Sequence, residues 1–228
     1  SIIDNTHILY SPNLNVFGSD VIQYTITDDW GAFVVGTVNI KINKVNHLPI
    51  VSIGSFTTYE DTNQIITNFA TDIDGDTLTC TVVTNGTKGI ASFNGTTLTY
   101  VPTLNANGAD SFTYNINDGN LGVVTGTINV NIIPVNDAPT AQNQSFKLIY
   151  NITNSITMNI SDIDGDTLTY ILDTQPSHGI FAATATSTTY QPNAGYYGTD
   201  VFTYHVYDGS LNSQTVTVNI IVDDTYEV

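Results

Sequence analysis

Tandem immunoglobulin-like β-sandwiches are the fold class that this 228-residue sequence predicts, and three observations carry the prediction. Apolar and polar residues alternate at a period of two, as in Phe112, Tyr114 and Ile116 against Thr113 and Asn115. That is the pattern of an antiparallel strand with one buried face. Asn-Gly, Asp-Gly and Pro signals break the alternation at hairpin spacing. No stretch shows a capped 3.6-residue period. About seven short strands in roughly 90 residues fit a sandwich of this type.

The strands follow in order from that pattern. In the middle of the chain they are expected over 51–57, 64–70, 77–83, 89–93, 96–101, 110–117 and 122–133. Leu78, Cys80 and Val82 define the third, and Ile128, Val130 and Ile132 against Thr127, Asn129 and Asn131 define the last. The second is ambiguous, because Ile65/Thr67/Phe69 and Ile66/Asn68/Ala70 alternate equally well.

An internal repeat sets the organisation. Gly108-Ala-Asp110-Ser-Phe-Thr-Tyr114-Asn-Ile-Asn-Asp118 returns 90 residues later as Gly198-Thr-Asp200-Val-Phe-Thr-Tyr204-His-Val-Tyr-Asp208, and 90 residues earlier around Tyr24. The same step relates Tyr10, Tyr100 and Tyr190, and relates Asp72-Ile-Asp74-Gly-Asp76 to Asp162-Ile-Asp164-Gly-Asp166. The chain therefore reads as about two and a half copies of one module: the C-terminal half of one over 1–48, then complete modules over 49–138 and 139–228. It looks like a piece of something longer.

Composition narrows the partners. The chain has 21 acids against 4 lysines, for a net charge of −17, and no arginine. Such a surface has almost nothing with which to neutralise nucleic acid or an anionic membrane. No apolar run is long enough to span a bilayer. Cys80 is the only cysteine, so neither an internal disulfide nor a multi-cysteine zinc site can form. Its inward position, filled by Tyr170 one module later, marks a buried structural thiol rather than a nucleophile.

Nineteen of the acids are Asp, and eight of them fall in two loops of each complete module, four to a module. In a sandwich the loop 72–76 and the loop that begins at Asp118 lie at the end where the chain enters the module. Four carboxylates, Asp72, Asp74, Asp76 and Asp118, thus converge, as do Asp162, Asp164, Asp166 and Asp208 in the next module. Crowded carboxylates repel, and a hard divalent cation relieves the repulsion. Ca²⁺, which takes six to eight oxygens from carboxylates and carbonyls, suits this donor set. The competing interpretation is that each Asp-Gly-Asp is a solvated turn. A helix–loop–helix calcium hand is excluded, since Thr77 and Val83 stand where it needs Gly and Glu. The four histidines share no ligand spacing, no Gly-x-Ser-x-Gly elbow occurs, and the carboxylates do not face each other across a cleft. An enzyme is not expected.

Asp72-x-Asp74, Asp118-Gly and Val135-Asn136-Asp137-Ala138-Pro139 together resemble the cadherin series. A closer resemblance is to the bacterial cadherin-like tandem repeats of very large secreted RTX-type adhesins. Tyr59-Glu60-Asp61-Thr62, Asp-Gly-Asp-Thr-Leu, Gln175-Pro-Ser-His178-Gly179 and Gly-x-Asp-x-Phe-x-Tyr carry it. This resemblance implies Greek-key sandwiches in an elongated array, with Ca²⁺ held between successive modules. The implied ligands add Glu60, Asn136 and Asp137, with Asp110 a further candidate, to the two loop clusters. Departures are visible. His47 replaces Asp in the first linker, and Tyr150 stands in the place of Glu60 in the last module. The earlier junction is therefore expected to bind calcium less tightly than the later one.

Two functions are open at this point. One is a spacer: calcium-stiffened repeats, secreted or at the cell surface, that hold a distal binding domain away from the cell for attachment or biofilm formation. Its contacts would be the neighbouring repeats, and for the half module 1–46 two expectations stand: either a second chain packs a matching half against it, or it is loosely ordered in solution. The alternative is a ligand-binding sandwich gripping carbohydrate or protein, for which Tyr59, Tyr196, Tyr197 and Tyr207 are candidates.

Overall fold

The computed structural model describes residues 2–4, 7–184 and 187–223. The chain is all-β and divides into two compact units, one through Ile133 and one from Pro134 onward.

The first unit opens with β1 (Ile2–Asp4) and β2 (His7–Ile8), then a long hairpin of β3 (Gly18–Thr27) and β4 (Phe33–Ile42). A sandwich follows, made of β5 (Ile50–Val51), β6 (Ser55–Tyr59), β7 (Gln64–Ile66), β8 (Ala70–Thr71), β9 (Thr79–Thr84), β10 (Gly89–Asn94), β11 (Thr97–Pro102), β12 (Gly108–Asn117) and β13 (Val123–Ile133). One of its sheets has the order β6-β13-β12-β9 and the other β10-β11-β7, with β5 paired to β8. The second unit repeats the plan as β14 (Thr140–Ala141), β15 (Gln144–Ile149), β16 (Asn154–Ile156), β17 (Ile160–Ser161), β18 (Thr169–Thr174), β19 (Gly179–Ala183), β20 (Thr188–Pro192), β21 (Gly198–Tyr207) and β22 (Val216–Asp223). Its sheets run β15-β22-β21-β18 and β16-β20-β19, with β14 paired to β17.

The alternating residues fill the cores as their period demands. Phe112, Ile116, Ile128 and Ile132 are buried in one sandwich, and Phe202, Val206, Val218 and Ile220 in the other. Between the sheets Phe69 stands edge-on to Phe93 and Tyr114, at centroid separations of 5.0 and 5.2 Å. Cys80 is buried, and burial raises its thiol pKa, consistent with an inert core residue.

Two of the expected strands are broken. The strand over 51–57 is two pieces: β5 pairs antiparallel with β8, and β6 pairs parallel with β13. The chain changes sheets at residues 52–54, where Ser52 donates its amide and its hydroxyl to the Phe69 carbonyl. The strand over 64–70 is likewise split, because Asn68 adopts a left-handed φ of 53°. That kink shifts the register, so Ile66 is half-buried before it while Phe69 and Ala70 are both buried after it. Both alternations read from the sequence are thus partly right.

A brace recurs in all three copies. Tyr10, Tyr100 and Tyr190 each donate a hydroxyl hydrogen bond to the Asp ten residues on, at 2.8, 2.5 and 2.6 Å. Asp110 also accepts from the Thr87 and Lys88 amides, which removes it from the candidate cation ligands. Asp200, 6% exposed, accepts from Ser177, His178 and Val201 amides at 2.9 Å each.

Burial pushes the Asp200 pKa up, but the hydrogen bonds from Tyr190 and the three amides outweigh it, so the carboxyl is held below its ordinary value. A lowered folded-state pKa gives stability that is complete above the unfolded value of about 4 and is lost as pH falls through the folded value. Asp200→Ala leaves a phenol and several N–H groups unpaired and should destabilise the second unit by about 3 kcal/mol at pH 7. It should also flatten the loss of stability as pH falls below about 4. Denaturant titration at several pH values measures both effects.

Candidate metal centre

The loop between β8 and β9 is shaped by its own aspartates. Asp72 Oδ1 accepts the Asp74 amide at 2.7 Å, closing an Asx-type turn, and Gly75 follows at a φ of +73°. Only glycine takes that left-handed conformation at little cost. Between β12 and β13, Asp118 Oδ1 accepts the Asn120 and Gly122 amides at 2.7 and 2.9 Å. A Cβ on Gly122 would lie 1.9 Å from Asp118 Oδ2, so the loop closes around that carboxylate only with glycine there.

These loops receive the linker. Asn46 Nδ2 donates to Asp118 Oδ2 at 2.7 Å, and the His47 amide donates to Asp74 Oδ2 at 2.7 Å. Asp118 is 3% exposed; burial raises its pKa, yet the bonds from Asn46, Asn120 and Gly122 bring it below its ordinary value. The His47 amide, ahead of its ring, does the same for Asp74. Asp72, Asp76 and Asp118 each present an oxygen within 4.8 Å of the others.

The second unit rebuilds this arrangement from its own residues. Asp162 Oδ1 accepts the Asp164 and Asp166 amides at 2.9 and 3.2 Å, with Gly165 left-handed at +80°. Asn136 Nδ2 donates to Asp208 Oδ2 at 2.9 Å, and the Asp137 amide donates to Asp164 Oδ2 at 2.8 Å. Asp208 is held below its ordinary pKa by the Leu211 amide first and the Asn136 side chain second. Here the oxygens within 4.8 Å come from Asp162, Asp164 and Asp166, whereas Asp208 meets the linker through Asn136.

One feature tests whether a cation fits. Asp72 Oδ2 and Asp162 Oδ2, at equivalent positions, are both buried and have no hydrogen-bond partner among the described residues. A buried carboxylate oxygen without a donor costs free energy unless a charge or proton serves it. A hard cation is served well by just such an oxygen among carboxylates, so the donor set suits Ca²⁺.

Other residues read from the sequence are placed as follows. Glu60 is 1% exposed in the first unit, its amide bonded to the Ile133 carbonyl and its Oε2 accepting from Asn107 Nδ2 at 3.4 Å. At the equivalent positions of the second unit Tyr150 and Tyr197 stand ring to ring, with centroids 4.5 Å apart. A carboxylate–amide pair has become an aromatic pair, which offers no carboxylate oxygen. The sequence pattern did not single out Lys44, whose ammonium lies 3.1 Å from Asp76 Oδ1. Its signal was available: Lys44 is basic, adjoins the Asn46-His47 linker, and corresponds to Pro134 one repeat later.

Tandem β-sandwiches define the fold class, and comparison with known sequences and folds places the chain within it. The sequence profile of the bacterial Ig domain matches residues 46–131 and again 136–221. The chain belongs to that family. A curated relative, integrin beta-like protein E of Dictyostelium discoideum, is 26% identical over 187 residues, covering 68% of this chain and 10% of that protein. The chain thus spans about a tenth of the length of this relative. Among solved structures, extracellular cadherin domains 1–5 of protocadherin gamma B2 superpose with a TM-score of 0.55 at 19% identity, covering 92% of this chain and 47% of that one. Mouse cadherin-23 EC22-24 gives 0.54 at 19% identity, covering 91% and 74%. The resemblance to cadherins is one of fold. Among the described residues no helix is long and apolar enough to cross a membrane.

Proposed function

We propose that this chain is a set of calcium-stiffened spacer repeats from a large bacterial surface adhesin of the RTX type, holding distal binding domains away from the cell for attachment or biofilm formation. The observation that carries the proposal is the paired orphan: the same buried carboxylate oxygen, Asp72 Oδ2 and Asp162 Oδ2, is left without a partner in both modules. Tandem membership of the bacterial Ig domain family supports a repeat that separates other domains rather than one that performs chemistry. The integrin-like relative and the cadherin-like folds support an extracellular, adhesive setting.

In this interpretation Asp72, Asp74, Asp76 and Asp118 serve one calcium site, with the divisions at 48 and 138 marking the module joints. Asp162, Asp164, Asp166, Asp208, Asn136 and Asp137 serve the other, and Glu60 is a candidate carboxylate of the first unit. Calcium binds the folded loops, and the unfolded chain offers no such convergence of oxygens. The exposed apolar residues of the β3–β4 hairpin, among them Ile26, Val34 and Val35, fit its being covered by another polypeptide.

Three expected outcomes follow from this function. At a few millimolar calcium, with Kd of about 10⁻⁴–10⁻³ M, each site adds roughly 1–2 kcal/mol of stability. Thermal melting should move up with calcium and back with excess chelator, and a midpoint indifferent to both refutes the calcium reading. Asp162→Asn keeps an oxygen for the Asp164 and Asp166 amides but removes the crowded charge. Its melting in chelator should be equal to or above that of the native chain, while the calcium-induced shift of the second unit disappears. Light scattering with limited proteolysis checks the hairpin: a strict monomer whose first 46 residues resist cleavage would show that nothing need cover it.

A further inference from the structure

We propose that Lys44 is the resident cation of the Asp72–Asp76–Asp118 cluster, so that a divalent ion entering that cluster must displace an ammonium which the equivalent position of the next repeat does not provide. The inference rests on the calcium reading of these loops and adds a residue that tunes one of them.

The geometry is specific. Lys44 Nζ lies 3.1 and 3.4 Å from the two oxygens of Asp76, whose side chain is only 13% exposed. On its other side the ammonium stands 5.9 Å from the centre of the Phe17 ring. Phe17, Lys44, His47 and Asp74 line one cavity of about 350 Å³ beside the cluster. The Asp76 hydrogen bond, and then the charges of Asp76, Asp74 and Asp72, raise the lysine pKa against the opposing effect of desolvation, so it carries its proton at neutral pH. One repeat later Pro134 occupies the position of Lys44 and Asn107 that of Phe17, so neither the ammonium nor the ring that backs it recurs.

Ammonium and metal compete for the same oxygens. Ca²⁺ draws its ligands to about 2.3–2.6 Å, which consumes the Asp76 lone pairs that Lys44 uses at hydrogen-bond distance. A charge roughly 5 Å from a divalent ion, in a water-like dielectric with moderate salt, changes its affinity by about tenfold. One carboxylate of the first cluster is thereby neutralised by the chain itself when calcium is scarce, while the second cluster must draw on the solution.

The test is calorimetric calcium titration of the full chain carrying Asp162→Asn and Asp164→Asn to silence the second cluster, with Lys44 native, Lys44→Gln or Lys44→Arg. Lys44→Gln should tighten binding at the first cluster about tenfold, and Lys44→Arg, which keeps the charge, should leave it at the native value. Equal affinity with lysine and glutamine, no calcium binding in the glutamine form, or an arginine form that behaves like glutamine overturns the proposal. The calcium reading is judged apart from this, on the chain with Lys44 and both clusters native. Binding there that Asp162→Asn with Asp164→Asn reduces by the second cluster's share sustains it, even if Lys44→Gln changes nothing. No binding by any form overturns both.

Discussion

Aspartate holds the loops of these modules in place by using its two oxygens for different purposes. In Asp72 and Asp162 one oxygen accepts backbone amides and closes the turn, and the other is turned inward without a donor. The turn cannot relax to separate the charges without losing the amide bonds that define it. Neighbouring carboxylates a few ångströms away add repulsion that the chain, with 4 lysines and no arginine, is poorly equipped to offset. The placement of the linker depends on the same loops, because Asn46 and Asn136 reach it by donating to Asp118 and Asp208.

The chain also contains aspartates of the opposite kind, and the contrast separates structure from function. Asp110 and Asp200 are surrounded by donors: a tyrosine hydroxyl and backbone amides from the loop before β10 or β19. A carboxylate so fully served has no capacity for a metal and acts as a brace between strands. Asp72 and Asp162, each with an Oδ2 that has no donor among the described residues, retain that capacity. The exchange of Glu60 and Asn107 for Tyr150 and Tyr197 makes the same distinction by substitution, since two phenol rings in contact offer dispersion and shape where a carboxylate offered charge.

Much of this was legible beforehand because it depends on local pattern. Alternation of period two located the long strands β9 to β13 to within two residues at either end. The 90-residue repeat aligned the two aspartate clusters. The breaks in the strands over 51–57 and 64–70 were not legible. They depend on which sheet claims each half of a strand, and on a left-handed Asn68, a conformation that asparagine enters more readily than most non-glycine residues but still uncommonly. The tyrosine–aspartate brace was visible only as two parallel columns of the repeat; that the columns meet follows from strand pairing.

By itself the sequence determined the all-β class, the tandem modules and the acidic loops, because composition and short-range periodicity are enough for each. Tertiary structure decided which carboxylates are satisfied and which are orphaned. It gave donors to both oxygens of Asp110 and left Asp72 Oδ2 without one among the described residues, though both are aspartates in a repeated motif. It also brought Lys44 onto Asp76, 32 residues away, where a charge count alone shows only a scarce lysine. Hydrogen bonds and ion pairs act over about 3 Å, and which groups come within that distance is set by how distant strands and loops are packed.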